Sequence, residues 1–146
     1  MKIKIRKLQA SDRSQWLELW RGYQAFYEAD LTADEDRLWS VLLDPPAEGP
    51  FGLVAEAEDC KLVGLVQYLF HARTWSAEQR CYLNDLYTAE EARGMGAGRA
   101  LIEAVYEAAD AAGAPHVYWL TQEFNETARQ LYDKVAKQTP FIKYSR

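Results

Sequence analysis

Hydrophobic and polar positions change their period along this chain, and each change marks an element. Residues 2–8 alternate Lys, Ile, Lys, Ile and Arg, the two-residue period of a half-buried strand. From Ser11, a candidate helix cap, the period becomes helical, with an apolar face of Trp16, Leu19, Tyr23, Phe26 and Tyr27. Thr32 and Glu35 have the spacing of a capping box for a second helix ending near Leu43, ahead of Pro45-Pro46. Pro45 to Pro50 has the composition of a loop. Phe51–Glu58 and Lys61–His71 read as two strands joined through Asp59-Cys60, a hairpin. The second is apolar on both faces (Leu62, Val63, Leu65, Val66, Tyr68, Leu69), as in a central strand. Residues 72–79 form a loop carrying Arg73 and Trp75.

Cys81–Thr88, rich in Tyr and Leu without Pro or Gly, suits a buried strand. An acidic connection and the turn Arg93-Gly94-Met95-Gly96-Ala97-Gly98 follow. Leu101, Val105, Ala108 and Ala112 then form a helical stripe, stopped by Gly113 and Pro115. His116–Thr121 reads as a strand, Asn125 as the cap of a last helix through Ala128, Leu131, Tyr132 and Val135, and Phe141–Ser145 as a closing strand. The predicted order is β-α-α-β-β-β-α-β-α-β, an α/β fold with a mixed central sheet flanked by helices. No repeat or linker divides it, so residues 1–146 are read as one domain.

Composition narrows the partners. A chain of 146 residues can bury roughly 70% of its unfolded surface, and 49% hydrophobic content suits a well-cored globule. The formal charge is −5 with no basic stripe, so nucleic acid is not an expected partner. Glu28, Asp30, Asp34, Glu35 and Asp36 concentrate the acidic excess; such clusters are usually solvated loops, and the functional reading is attraction of a cationic substrate. No apolar run is long enough for a membrane span, and the charged N-terminus lacks a signal region, so a cytoplasmic protein is expected. Cys60 and Cys81 have neither metal nor redox spacing; both are expected to be small buried thiols, and no metal is expected.

Three glycines in alternate positions ahead of a helix free the backbone for unusual dihedrals and for close ligand approach. The helix N-terminus adds unpaired amides and a partial positive charge, an anion site suited to phosphate. A phosphate loop would need a Lys-Ser or Lys-Thr pair after the glycines, and a dinucleotide fingerprint would need different spacing within a first βαβ unit; neither is present. Arg93, Gly96 and Gly98 instead resemble motif A, Arg/Gln-x-x-Gly-x-Gly/Ala, of the GNAT superfamily of acetyl-CoA-dependent N-acetyltransferases. Trp119 to Tyr132 resembles the family's motif B, in which an Asn caps the last helix and a Tyr follows seven residues later. The likeness runs from Ile5 to Tyr144, and Tyr118-Trp119 and Leu131-Tyr132 look like the histone- and polyamine-acetyltransferase-related branch. The chain departs from the family after Lys137, where it has room for about one strand instead of two.

The resemblance implies the chemistry. Acetyl-CoA would place its pyrophosphate at Arg93, Gly94, Met95, Gly96, Ala97, Gly98 and Arg99. Its arm would lie between the splayed strands, held by the main chain of Leu86, Tyr87 and Thr88 and by Asn125, with Ala128 at the family's small position. The N–H of Leu86 or a neighbour would bond the oxyanion, and Tyr132 would be the general acid. Some polyamine acetyltransferases carry Glu-Asp where this chain has Asn84-Asp85; Asn84 cannot take a proton. Asp85 is the candidate base, with two alternatives: a structural role, because neighbours on a strand face opposite ways, or a water chain from Glu28 or Tyr87. Tyr23, Tyr27, Glu28 and Asp30 would wall the acceptor side, which favours a small polyamine, a diamine or a lysine-like amine. A homodimer is possible, and the alternative function is a non-catalytic acyl-CoA-binding module.

Overall fold

The structure, a computed structural model, describes residues 2–146. Its sheet has five strands in spatial order: β1 (Ile3–Lys7), β2 (Phe51–Ala57), β3 (Leu62–His71), β4 (Arg80–Thr88) and β5 (Val117–Tyr118). The first four pair antiparallel, and β4 pairs parallel with β5. Helices α1 (Arg13–Phe26) and α2 (Glu35–Leu43) cover one face, α3 (Ala97–Ala111) covers the other, and α4 (Glu126–Val135) lies beside α3. β3 is the apolar centre, with Val66 fully buried and Leu65 1% exposed.

Several local expectations give way to tertiary partners. Ser11 does not cap α1: it lies in a 3₁₀ turn, Ala10–Asp12, and Asp12 precedes the helix. The face of α1 includes Trp20, while Phe26 is 50% exposed. Thr32 and Glu35 form no capping box: the Thr32 hydroxyl donates to Asp30, and Arg21 on α1 donates to Glu35. The buried arc of α3 is Ala97, Leu101, Ile102, Val105 and Ala109, wide enough to span several strands. Ala108 is only half-buried, and Ala112, at the C-cap, is exposed. Gly113 (φ +72°) ends this helix with Ala114 N–H bonded to the Ala109 carbonyl, a closure that suits a left-handed glycine.

Two strand expectations shrink. β5 keeps two residues of the predicted six, because its pairing with β4 stops at Tyr82 and Tyr118. Residues 141–145 form no strand; Phe141, Ile142 and Tyr144 are exposed. No described strand pairs with this segment, and a strand needs a partner. Cys60 is also corrected: it is exposed, in the β2–β3 turn at φ +67°. No described helix is long and apolar enough to cross a membrane.

Candidate active site

A bulge sets the geometry of β4. Tyr68 pairs with Leu83 and Gln67 with Asp85, so Asn84 is the extra residue. In an unbulged strand of the same sequence Asp85 would share a face with Cys81 and Leu83; the bulge sets it beside Gln67, on the side of Trp16 in α1, and Tyr87 against Gly22 of the same helix. Gln67, 2% exposed on β3, accepts from Trp16 Nε1 at 3.1 Å and donates to Asp85 Oδ2 at 2.9 Å. Asn84 donates to Asp85 Oδ1 at 3.1 Å. Asp85 is thus held on two sides, and Gln67, one of its two partners, was missed in the sequence. Its signal was there: one amide inside an otherwise apolar central strand.

Helix α1 lines this spot with stacked rings. Trp16 stacks on Trp20, Trp20 on Tyr23 and Tyr23 meets Tyr27, each about one turn further along the helix. Trp39 of α2 presses Trp16 from behind. Burial and then the charge of Asp85 push both the Tyr23 and Tyr27 phenols up, so negative potential reaches this wall. Gly22 allows the close approach, since a Cβ there would lie 2.6 Å from Tyr87 Oη.

The rings open into a cleft of about 390 Å³ between β4 and the segment after β5. Tyr23, Tyr27, Asn84, Leu86, Trp119 and Tyr132 line it, with Thr121, Gln122 and Lys143 also on its wall. Trp119 meets Tyr132 edge-on at 5.4 Å between ring centroids. The Tyr132 hydroxyl has no hydrogen-bond partner among the described residues, and burial, then Tyr27, pushes its phenol up to about 12. It stays protonated at neutral pH, with a proton to give only to a stronger base formed beside it.

The glycine turn lies at the start of α3. Gly96 is the N-cap at φ +82°, in the left-handed region, with no side-chain cap. The amides of Ala97, Gly98 and Arg99 find no acceptor among the described residues, and a Cβ at Gly94 or Gly96 would meet nothing within 4 Å. Glycine is needed there for its dihedral and for open access, while at Gly98 it permits approach to Leu131 of α4 and to Thr88. Arg93 lies over the Phe26 ring at 5.9 Å, and Arg99 pairs with Glu103.

The family described as "Acetyltransferase (GNAT) family" matches residues 13–136. This chain belongs to the GNAT family. It is 36% identical to D-amino-acid N-acetyltransferase HPA3 of Saccharomyces cerevisiae, over 99% of this chain and 91% of that one. A ribosomal-protein-alanine N-acetyltransferase from Brucella melitensis shares the fold at TM-score 0.79 and 20% identity, covering 100% and 99% of the two chains. An aminoglycoside acetyltransferase from an uncultured soil metagenomic sample does so at 0.78 and 22%, covering 99% and 95%. These comparisons show the family and do not support the narrower histone- and polyamine-related branch.

Within this GNAT enzyme the motif residues fall into two groups. Arg93–Arg99 surround the open amides at the start of α3, and Leu86 and Tyr132 share the cleft. Asn125 stands at the N-cap of α4, but its side chain makes no cap bond, and Ala128 is half-buried on the same helix. Tyr87 is half-buried, its hydroxyl end packed against Gly22 of α1. Glu28 and Asp30 are exposed, do not line the cleft, and the Asp30 carboxylate accepts from Thr32. Cys81 is fully buried with its thiol pushed up to about 12 by burial, and neither cysteine lines the cleft. No cluster of three His, Cys, Asp or Glu able to hold a metal occurs among the described residues.

Proposed function

We propose that this N-acetyltransferase moves an acetyl group from acetyl-CoA directly to the primary amine of a small amino acid. The observation carrying the reading is that a protonated Tyr132 phenol and the unpaired edge of β4 at Leu86 face one cleft, while Gly98 among the open amides of α3 packs on Thr88 of β4 and Leu131 of α4. The amides of Ala97–Arg99, with Arg93 nearby, suit the pyrophosphate. Beyond Tyr82 and Tyr118 the strands part, so the outer edge of β4 is free to bond the pantetheine arm, joined by the Asn125 amide. That alignment can lower the barrier by roughly 7–11 kcal/mol.

In the reaction the acceptor nitrogen attacks the thioester carbon. The Leu86 N–H bonds the oxyanion, the C–S bond breaks, Tyr132 gives its proton to the departing thiolate, and the second proton shed by the acceptor nitrogen restores the phenol. An alkyl ammonium, with a pKa of about 10.4 for Lys, must first lose a proton, and Asp85 takes it through water. Direct transfer is favoured over an acyl-cysteine because neither thiol reaches the cleft.

The acceptor class follows from the lining. The polyamine reading depended on Glu28 and Asp30, which lie outside the cleft, and no Asp or Glu lines it. The amino-acid substrate in the name of the yeast relative points the same way. Thiol release from acetyl-CoA with D- and L-amino acids, their amides and diamines tests both levels. Turnover of amino acids is expected; preference for diamines would sink the acceptor class, and silence with every amine would make this a binding module.

A further inference from the structure

The C-terminal segment has no secondary structure and leaves Phe141, Ile142 and Tyr144 exposed, yet Lys143 between them lines the cleft with Tyr27, Leu86 and Tyr132. It is the one lining residue that carries a formal charge at neutral pH. Among the described residues Lys143 enters no ion pair, although seven pairs form elsewhere. The opposite charge, Asp85, stands on β4 just behind the cleft wall, where the lining residue Asn84 donates to it at 3.1 Å.

From this layout we infer that Lys143 anchors the carboxylate of the acceptor, an inference that rests on the amino-acid reading above. A zwitterion suits this layout: its nitrogen takes the tyrosine side, from which Asp85 is reached through water, and its carboxylate takes the Lys143 ammonium, which offers three donors. Charge-assisted bonds of this kind are stronger among aromatic walls than in water. A diamine would bring its second ammonium against Lys143. The selecting group therefore comes from a segment outside the sheet and helices.

The test compares kcat/KM for a free amino acid and for its carboxamide in wild type, Lys143→Met and Lys143→Glu. Wild type should prefer the free acid. Lys143→Met should reduce the acid-to-amide ratio by about 10–100-fold, mainly through KM, the loss typical of one charged hydrogen bond. Lys143→Glu should reverse the preference towards the amide or a diamine. Unchanged ratios in both variants, with wild type active on amino acids, would overturn the anchor alone. A wild type inactive on every free amino acid would overturn both the anchor and the acceptor class. Peptide mapping that finds Lys143 Nζ itself acetylated by acetyl-CoA would also overturn the anchor, because Lys143 would then be an acceptor.

Discussion

Tyr132 shows how one side chain gains a role from its surroundings. A tyrosine on the apolar face of a last helix is ordinarily a core residue, and half of this ring is packed in that way against Trp119. Its hydroxyl has no hydrogen-bond partner among the described residues and opens into the cleft beside Leu86. Tyr132→Phe keeps the ring and removes only the O–H, so the fold and acetyl-CoA affinity should persist. Turnover should fall about 10²–10⁴-fold where chemistry limits the rate, read by steady-state thiol release. A full-rate Phe variant would assign the proton to water. Asp85 carries a complementary lesson. Its identity was visible in the sequence, but the face it occupies depends on a bulge at Asn84 that no spacing rule announces.

Among the elements, the start of α3 combines local and tertiary demands. Gly96 needs a left-handed dihedral, and a side chain there would stand in open space, so the residue serves the backbone and whatever approaches it. Gly96→Ala should cost about 1–2 kcal/mol of stability from the dihedral alone, with a modest loss of acetyl-CoA affinity. Gly96→Glu should strain the turn equally and in addition set a carboxylate against the pyrophosphate, raising the acetyl-CoA dissociation constant far more than the Ala variant does. Calorimetry alongside thermal melts separates the two effects; equal affinity in the Ala and Glu variants would move the phosphate site elsewhere. The capping boxes behave differently. Thr32 and Glu35 had the right spacing, yet Glu35 is drawn to Arg21 of another helix and Thr32 to Asp30. A charged partner across the fold outcompetes a local cap.

For the molecule as a whole, one ion cluster ties the N-terminal strand to the rest. Arg6 on β1 donates to Asp12 ahead of α1 at 2.8 Å and to Glu56 on β2 at 2.9 Å, and Gln9 N–H also donates to Asp12. The Arg6 bond, offset partly by burial and aided by Gln9, holds the Asp12 carboxyl below the usual carboxylate range. The folded pKa is lower than the unfolded value of about 3.9, so this stabilisation is complete above that value and is lost as pH falls through the depressed one. Asp12→Asn should lower the unfolding free energy at pH 7 by about 1.5–3 kcal/mol, and the gap to wild type should close in acid. Urea titrations at pH 7 and pH 3 check it; a constant gap would show that the effect is not from ionisation.

The sequence by itself determined the succession of elements as far as α4, the apolar centre at β3 and the two motifs, because periodicity and turn residues are written over a few neighbouring positions. Their spacing was enough to place the chain in its family and to single out Tyr132, Gly96 and Asn125. Tertiary structure alone decided how far β5 pairs, that residues 141–145 form no strand, which way Asp85 faces, and that Lys143 and not Glu28 or Asp30 reaches the cleft. Each of those depends on what lies opposite in space. A strand needs a partner, a bulge is defined against its neighbour's register, and a cleft is walled by residues as distant in sequence as Tyr23 and Lys143.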